Sequence, residues 1–495
     1  MILTAALGIP LLGALALAFW PRWQEQQARV FAIITAVVPL LLMLWSWVRF
    51  DPSGPLFQLV EEVEWVPSLG MGFRLGVDGI ALAIATMSAL LFTAAAAYPV
   101  DTKGMPRQYY AWVLFLESVS LGVFLSLDLL LFYVFFDLNL VGMYFLIGRW
   151  GHGRPQYSAL KFFLYTLLGS LALLLAILGL YLASEPRTFD MRELIAQQPL
   201  AGVAPAAGLV LLGFVLGFAI KTPLVPFHTW LPQAHVDAPA PASAILAGVL
   251  LKMGTFGLIR IPYSMMRQTF ADYALWLAIL AVISILYGAV VALGQGDLKR
   301  RIAYTSINHM GYTVLGIAVA GALLEGSETA RQLALTGATI EMVAHGLITG
   351  SLFLIAGSFW ERGKSYDMDY YGGLGAKAPM MTGLTALAAF ASLGLPGLAG
   401  FVAEFHIFVG TFGVYPWLAG IALLGILITA ALFLQMLQRL FFGKLPPQWS
   451  GFPDLRVSEW TVLGVLLAFV VIIGVYPSFL IDIIEPTSRW LVGAG

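Results

Sequence analysis

The stretch FAIKTPLVPFHTWLPQAHVDAPAPASAILAGVLLKMG, residues 218–254, places two lysines in an otherwise apolar sequence. Lys221 follows a fully apolar run, and Lys252 lies inside another run that is rich in Leu, Val and Ala. Pro223 and Pro226 come soon after Lys221, and a proline removes a backbone donor and clashes with the preceding helical turn. The stretch therefore predicts a broken helix followed by an unbroken one, each carrying an ammonium group.

The whole chain is similarly apolar. Of its 495 residues, 60% are hydrophobic and 11% are charged, whereas a soluble globular protein carries about 25% charged residues. This composition indicates an integral membrane protein that contacts lipids. The chain has no cysteine, which excludes disulfides, iron–sulfur clusters and thiolate zinc sites on it. A net charge of −1 argues against a nucleic-acid partner.

Apolar runs long enough to cross a bilayer recur along the whole chain. Because a spanning helix needs roughly 20 mostly apolar residues, we expect an all-α polytopic membrane protein with about 14 transmembrane helices. The fourth and fifth runs nearly abut at Asp128. The runs lie near residues 2–20, 29–48, 76–98, 110–127, 129–147, 159–183, 207–231, 240–260, 272–293, 302–320, 335–358, 379–408, 416–440 and 459–478.

Two of these runs contain helix breaks. The seventh contains the two prolines after Lys221, and the twelfth contains Leu395-Pro396-Gly397 followed by Gly400. The breaks lie five helices apart, which suggests two inverted five-helix repeats, helices 4–8 and 9–13, each with a broken helix. Such repeats are the plan of many ion transporters. The chain then divides into helices 1–3 (1–109), the first repeat (110–260), the second repeat (272–440), and a C-terminal loop with helix 14 (441–495).

The distribution of basic residues predicts the orientation in the membrane. Loops after odd-numbered helices carry fifteen Lys and Arg residues, Arg22 among them, whereas loops after even-numbered helices and the C-terminal tail carry eight. Because basic loops remain on the cytoplasmic side, we expect both termini on the non-cytoplasmic side.

Few ionisable side chains fall inside the predicted spans. Each costs about 2.5–3.5 kcal/mol at the bilayer centre, on insertion scales for Asp, Lys or Arg, so such groups usually face the bundle interior and pair. We expect six of them to form a proton-carrying string if their helices are neighbours: Asp137, Lys221, Lys252, His309, His345 and Glu404. The others are Glu117, Glu341 and His406.

The residue types suggest roles within this string. Lys221 is the expected carrier, because desolvation favours the neutral amine and a nearby carboxylate favours the ammonium. Asp137, midway along the fifth helix, is its expected partner. Glu341 lies one helical turn before His345 and could bond to it. The histidines could relay protons, since imidazole titrates near neutral pH.

Structural alternatives remain open for the same residues. Lys221 could satisfy carbonyls freed by the prolines, Asp137 could bond to its own helix or to Asn139, and Lys252 could snorkel to an interface. Glu404 could cap the second half of its broken helix or release protons, and the histidines could serve packing alone. Two further histidines, His228 and His235, are expected near an aqueous opening, and the position of Glu117 is undecided.

Four segments resemble a known family. KTPLVPFHTWLPQAHVDAPAPASAILAGVLLKMG, LKRRIAYTSINHMGY, MVAHGLITGSLFLIAG and LPGLAGFVAEF are similar to the antiporter-like membrane subunits of respiratory complex I, with the resemblance covering roughly helices 3 to 13. Among the three antiporter-like types, the chain is most similar to the chain 4 type. Glutamate at position 404 fits that type, whereas the other two usually carry lysine there.

The resemblance implies a membrane-arm subunit that moves one proton per cycle in a bacterial inner or thylakoid membrane. It maps Asp137 and Lys221 onto the family's fifth-helix acid and seventh-helix lysine, and it maps Lys252 onto the eighth-helix lysine. The tenth- and eleventh-helix histidines and the distal acid correspond to His309, His345 and Glu404. It also implies that this chain holds no cofactor, with the quinone, the iron–sulfur clusters and the electron donor on partner subunits of a large hetero-oligomeric complex.

One departure from the family pattern affects the first pair. The family usually carries glutamate followed by a Leu-Val-Pro turn, whereas this chain reads Asp137-Leu-Asn139-Leu-Val-Gly142. The shorter aspartate predicts a longer or water-mediated contact with Lys221. It fits a specialised form of the complex, such as those of photosynthetic membranes that accept electrons from ferredoxin.

Three other functions compete with this interpretation. A subunit of a multi-subunit sodium/proton antiporter shares the same ancestry. A membrane enzyme acting on lipid-linked substrates would need a catalytic loop, and the longest loop, 49–75, offers Glu61, Glu62 and Glu64 without a nucleophile or metal set. A purely structural role would leave the buried charges as contacts between helices.

Overall fold

Helices dominate the computed structural model, which describes residues 1–20, 23–202 and 204–493. Because hydrocarbon offers no hydrogen-bond partners, a spanning segment must satisfy its own backbone groups, and the helix does so. The elements are α1 (Ile2–Phe19), α2 (Glu25–Arg49), β1 (Gln58–Val66), β2 (Met71–Val77), α3 (Gly79–Ala97), α4 (Pro106–Leu125), α5 (Leu129–Trp150), α6 (Pro155–Ala183), α7 (Met191–Gln197), α8 (Ala204–Lys221), α9 (Leu231–Asp237), α10 (Ala240–Ile245), α11 (Leu251–Leu258), α12 (Arg267–Leu293), α13 (Leu298–Gly321), α14 (Glu328–Gly363), α15 (Pro379–Ser392), α16 (Ala399–Val414), α17 (Pro416–Phe441), α18 (Val457–Val475) and α19 (Ser478–Gly493).

The prediction of an all-α polytopic membrane protein is confirmed. Within the described ranges, eleven helices are long and apolar enough to cross a membrane, with Ala240–Tyr263 counted as one. Three shorter apolar helices, Pro205–Lys221, Pro379–Ser392 and Ala399–Val414, form the halves around the two breaks. The figure of about 14 spans remains a prediction, as does the four-part division of the chain. Arg22, counted for the orientation, lies outside the described residues.

Both predicted helix breaks are present. The first separates α8, which ends at Lys221, from α9. The second separates α15 from α16, where Gly394 and Gly397 have φ angles of 76° and 89°. Glycine tolerates this left-handed region because it has no Cβ. The two breaks leave irregular backbone inside the bundle, which is tolerated where protein or water surrounds it.

The helix of Lys252 is continuous, as expected, but it is not a regular α-helix throughout. The span Ala240–Tyr263 contains two π-helical segments, Leu246–Leu250 and Ile259–Tyr263, on either side of α11. A π turn disrupts the regular ladder of helical hydrogen bonds and is frequent at functional sites. Here Lys252 Nζ donates to the carbonyl of Ala247, 2.6 Å away.

Two elements were not foreseen. Residues 49–75, expected as a loop, contain most of an antiparallel β-hairpin formed by β1 and β2. The chain also continues after α18 into α19, whose buried residues Leu480, Ile483, Ile484 and Thr487 recur at helical spacing. The backbone N–H of Gly79 donates to Thr487 Oγ1, 3.0 Å away, so α19 lies across the start of α3.

Asp128 separates the two runs that nearly abut in the sequence. It is the N-cap of α5, and its carboxylate accepts hydrogen bonds from the backbone N–H groups of Leu130 and Leu131. A side-chain oxygen at this position satisfies helix donors that have no partner within the helix. Helices α4 and α5 are therefore distinct.

Close helix packing brings the charged groups to the interior. Gly254 of α11 lies against α8, where an added Cβ would stand 2.8 Å from the carbonyl oxygen of Phe218. Small residues allow backbones to approach in this way inside membranes. Helix α14, 36 residues long, packs against α13 and α16, so side chains from these three helices meet in one place.

Candidate functional site

The centre of the site is a contact between Lys252 and His345. Lys252 Nζ and His345 Nδ1 are 2.6 Å apart, and the two residues are 0% and 2% exposed. When the lysine is charged, its ammonium donates to the ring nitrogen. When the lysine is neutral, the ring N–H donates to the amine, so this contact can pass a proton in either direction.

His309 of α13 connects this pair to two carboxylates. Its Nδ1 lies 3.3 Å from Glu341 Oε1 and 3.7 Å from Glu404 Oε1. Its Nε2 lies 3.0 Å from Ser392 Oγ, at the end of α15. The rings of His309 and His345 have centroids 5.5 Å apart. His309 therefore touches both halves of the second broken helix and faces the histidine bound to the lysine.

Two expectations about the acids need correction. Glu341 was expected to bond to His345, one turn away on α14, but its carboxylate contacts His309 instead. Glu404 was considered as a helix cap, yet the N-cap of α16 is Leu398 and no side-chain capping bond is present. Gly394, in the second helix break, lies against the Glu404 carboxylate. The carboxylate therefore lies in the space between α15 and α16.

Lys221 and Asp137 do not form a direct ion pair. Lys221 is 2% exposed, and its Nζ has no hydrogen-bond partner among the described residues. The ammonium lies 4.9 Å from the centroid of the Phe136 ring. The half-buried Asp137 instead accepts hydrogen bonds from the Ser170 hydroxyl and from Tyr133 OH, the latter at 3.2 Å.

The short aspartate side chain explains this arrangement. The hydroxyl of Ser170 is within reach of its carboxylate, whereas an ion pair with Lys221 within 4 Å is absent from the described part of the chain. The alternative that Asp137 bonds to Asn139 is wrong, because the Asn139 side chain bonds to Ser120 Oγ and to the carbonyl of Phe135. The longer contact predicted from the departure at position 137 agrees with the structure.

The remaining ionisable groups lie outside this cluster. His228 and His235, expected near an aqueous opening, are only 5% and 0% exposed, and His235 stacks on Phe353 at 4.4 Å. That expectation is wrong, because both side chains are buried within the bundle. His406 is 2.7 Å from the carbonyl of Val402 in its own helix. Glu117 is fully buried, and neither of its oxygens has a partner in the described ranges.

The structure therefore brings four of the six predicted residues into one cluster, formed by Lys252, His345, His309 and Glu404. Lys221 and Asp137 lie on α8 and α5, with no hydrogen bond to that cluster in the described part of the chain. The sequence missed the roles of Glu341 and Ser392 in holding His309. The spacing of Glu341 and His345 placed both on one helix face but did not show that the carboxylate contacts His309, and no local signal marks Ser392.

Comparison with known proteins identifies the family. A family model described as NADH:quinone oxidoreductase/Mrp antiporter, TM, matches residues 126–429. The chain belongs to this family. All six predicted site residues lie within the matched range, and the resemblance inferred from the motifs is confirmed.

Relatives in this family match nearly the full chain. NAD(P)H-quinone oxidoreductase chain 4 1 of Picosynechococcus sp. is 36% identical, covering 96% of this chain and 89% of the relative. NADH-quinone oxidoreductase subunit M of Rhodobacter capsulatus is also 36% identical, covering 98% of this chain and 95% of the relative. The chain is thus a multi-pass membrane member of the NADH:quinone oxidoreductase/Mrp antiporter family.

Solved structures agree with this assignment. A chain of respiratory complex I from Thermus thermophilus with bound NADH superposes with a TM-score of 0.89 at 31% identity, covering 100% of this chain and 99% of that one. A chain of the Mrp complex from Dietzia sp. DQ12-45-1b gives a TM-score of 0.83 at 23% identity and shares the fold. That superposition covers 99% of this chain but only 52% of the Dietzia chain.

Proposed function

We propose that this chain translocates protons as a membrane-arm subunit of a complex I-type NAD(P)H– or ferredoxin–quinone oxidoreductase. The observation that carries the proposal is the buried cluster that runs from Lys252 through His345 and His309 to Glu341 and Glu404. Intramembrane groups of this kind mark proton relays, and each group of the cluster can hold or release a proton.

Within the cluster, the proton moves from the amine toward the second helix break. Lys252 gives its proton to His345 Nδ1 across 2.6 Å. The Nε2 atom of His345 is buried without a hydrogen-bond partner in the described ranges, so it is available for transfer to His309. From His309 Nδ1 the proton passes to Glu404, 3.7 Å away. The irregular backbone beside Glu404 can border a water-filled exit.

Glu341 serves as a fixed counter-charge in this scheme. Its carboxylate lies 3.3 Å from His309 Nδ1 and is 2% exposed. An opposite charge at this distance favours the imidazolium over the neutral ring. Glu341 therefore lowers the free energy of the intermediate in which His309 holds the proton, before Glu404 receives it.

Lys221 and Asp137 form the switch that loads the cluster. Asp137 is half-buried on α5 and is held by Ser170. If the Asp137 carboxylate turned from the Ser170 hydroxyl toward Lys221, it would stabilise the ammonium. If the carboxylate then withdrew, Lys221 would release its proton more readily. Next to Lys221, the hydroxyl of Thr222 is buried without a partner in the described part. Thr222 lies against Gly254 of α11, so the first helix break borders the helix that carries Lys252.

The family implies the surroundings of this subunit. The energy for translocation comes from redox subunits that carry the quinone site, the iron–sulfur clusters and the electron donor, while this chain carries the protons. We place it in a bacterial inner or thylakoid membrane, with both termini on the non-cytoplasmic side, on the basis of the basic loops. We propose that two inverted repeats, 110–260 and 272–440, bring the two breaks to similar depth.

The test is substitution of the carrier in the intact complex. We expect Lys221→Met to assemble with its partners and to lose most proton pumping, because a thioether cannot hold the proton. Lys161→Met is the matched control, since Lys161 lies in α6 and donates to Gln233 Oε1, 2.8 Å away, outside the cluster. Pumping by Lys221→Met at the parental level would show that the carrier assignment is wrong.

A subunit of a multi-subunit sodium/proton antiporter is the second candidate, supported by the fold shared with the Mrp complex chain. The relatives at 36% identity over nearly the full length favour the quinone oxidoreductase. Mass spectrometry of the purified complex separates the two candidates. Redox subunits that co-purify support the oxidoreductase, whereas sodium-dependent transport without them supports the antiporter.

A further inference from the structure

Two arginines share one small cavity at the end of the bundle where α19 lies. Arg331, in the first turns of α14, is 5% exposed, and its Nε donates to the carbonyl of Ala320, 2.9 Å away. Arg267, the first residue of α12, donates to the carbonyl of Leu491 in α19. The lining of the cavity contains both guanidinium side chains. In the described part of the chain, neither has a carboxylate within 4 Å.

The acids on the neighbouring elements are engaged elsewhere or exposed. Glu485 of α19 binds Arg489 at 2.7 Å and Gln332 at 2.9 Å. Glu325 and Glu328, just before and at the start of α14, are exposed to solvent. A buried guanidinium next to a second, partly buried one is costly unless the pair is neutralised. An anion from outside the described residues would remove this cost.

A third donor points into the same cavity. Tyr263 ends the span that carries Lys252, and its side chain is 3% exposed. Its hydroxyl is buried and has no hydrogen-bond partner in the ranges described. Buried hydroxyls nearly always have a partner. With Arg267 and Arg331 it forms a set of donors suited to phosphate oxygens, which bind guanidinium groups in charge-assisted pairs.

A larger and mostly apolar cavity adjoins this donor set. It has a volume of about 580 Å³, and Arg267 lies in the walls of both cavities. The other lining residues include Leu56, Phe57, Ile195 and Trp490. The inner cavity has only about 10 Å³ of space, enough for roughly one water-sized atom. A ligand would therefore place an oxygen inside and its bulk in the outer cavity.

We propose that Arg267, Arg331 and Tyr263 bind the phosphate of an anionic phospholipid whose glycerol and first acyl carbons occupy the outer cavity. Apolar side chains such as Leu56 and Phe57 stabilise the carbon atoms of a lipid but not a free phosphate ion, so the outer cavity favours a lipid. Trp490, 40% exposed on α19, is the kind of residue that sits at the headgroup level. The bound lipid would connect α12 and α19 to α14, the helix of the proposed relay.

The experiment uses the intact complex in nanodiscs that contain phosphatidylcholine with a photoactivatable phosphatidylglycerol. We expect the cross-link on peptides from the start of α12 or the end of α19, and we expect it to persist in excess inorganic phosphate. Since each basic residue contributes about fivefold near a membrane surface, R267Q/R331Q should weaken labelling about 25-fold. R489Q, which removes an arginine paired with Glu485 on the same helix, should label as the parent does.

Three results would overturn the proposal. Labelling of the parent complex confined to other helices would show that no lipid binds here, and this result does not depend on whether a variant assembles. Equal labelling of R267Q/R331Q and the parent would show that the arginines do not hold the lipid. Displacement of the cross-link by inorganic phosphate alone would make this a site for free phosphate.

Discussion

Replacing Glu341 by glutamine tests the relay at its electrostatic centre. At 3.3 Å, the distance between the Glu341 carboxylate and His309 Nδ1, opposite unit charges attract each other by about 5 kcal/mol at an effective dielectric constant of 20, before the cost of desolvation. If water and relaxation reduce the loss to a third, about 1.7 kcal/mol remains, and pumping should slow at least about tenfold.

The substitution is designed to leave the structure intact. Glutamine has nearly the shape of glutamate and retains an oxygen that accepts a hydrogen bond from His309. We therefore expect Glu341→Gln to assemble normally. The assay follows quinone reduction and acidification together in proteoliposomes that contain the whole complex, so that a loss of pumping is measured against the redox rate.

Glu117→Gln is the matched control, because Glu117 is also fully buried in the membrane but lies outside the cluster and has no partner in the described ranges. It should pump as the parent does. If Glu341→Gln pumps at the parental rate, or if both variants lose pumping equally, then the contact between Glu341 and His309 does not carry the relay.

Three other predictions concern the framework around the cluster. Asp128→Ala removes the cap of α5 and the carboxylate that pairs with Arg74 at 2.9 Å. We expect a loss of at least about 1–2 kcal/mol of stability, seen as a lower midpoint of thermal unfolding; Asp128→Asn should restore the cap but not the ion pair, and so only part of the loss. Gly254→Val places a branched side chain against the carbonyl of Phe218, and we expect a marked fall in the yield of assembled complex, with Gly254→Ala intermediate. Hydrogen bonding from Arg74 lowers the pKa of Glu62 below its ordinary 4.5, so this pair stabilises the β-hairpin above that pH and is lost as pH falls through the lowered value. Hydrogen exchange of residues 58–77 should rise on acidification, and a rise of the same size in Glu62→Gln would contradict this explanation.

The sequence determined the class of protein because each spanning segment must be apolar and must satisfy its own backbone groups. Composition and run length therefore predicted a polytopic helical protein, and the prolines and glycines predicted both helix breaks. The cost of charge in lipid marked Lys221, Lys252 and Glu404 as candidate functional residues before any contact was known. These properties are local, so the order of residues was sufficient.

Only the tertiary structure decided which charges meet. Asp137 bonds to Ser170 on α6 rather than to Lys221, and Glu341 bonds to His309 on α13 rather than to the nearer His345. These choices depend on distances between helices that are far apart in the chain. Such distances depend on how whole helices pack, so they cannot be read from the identities of single residues. The cavity beside α19 likewise exists only after the bundle has formed.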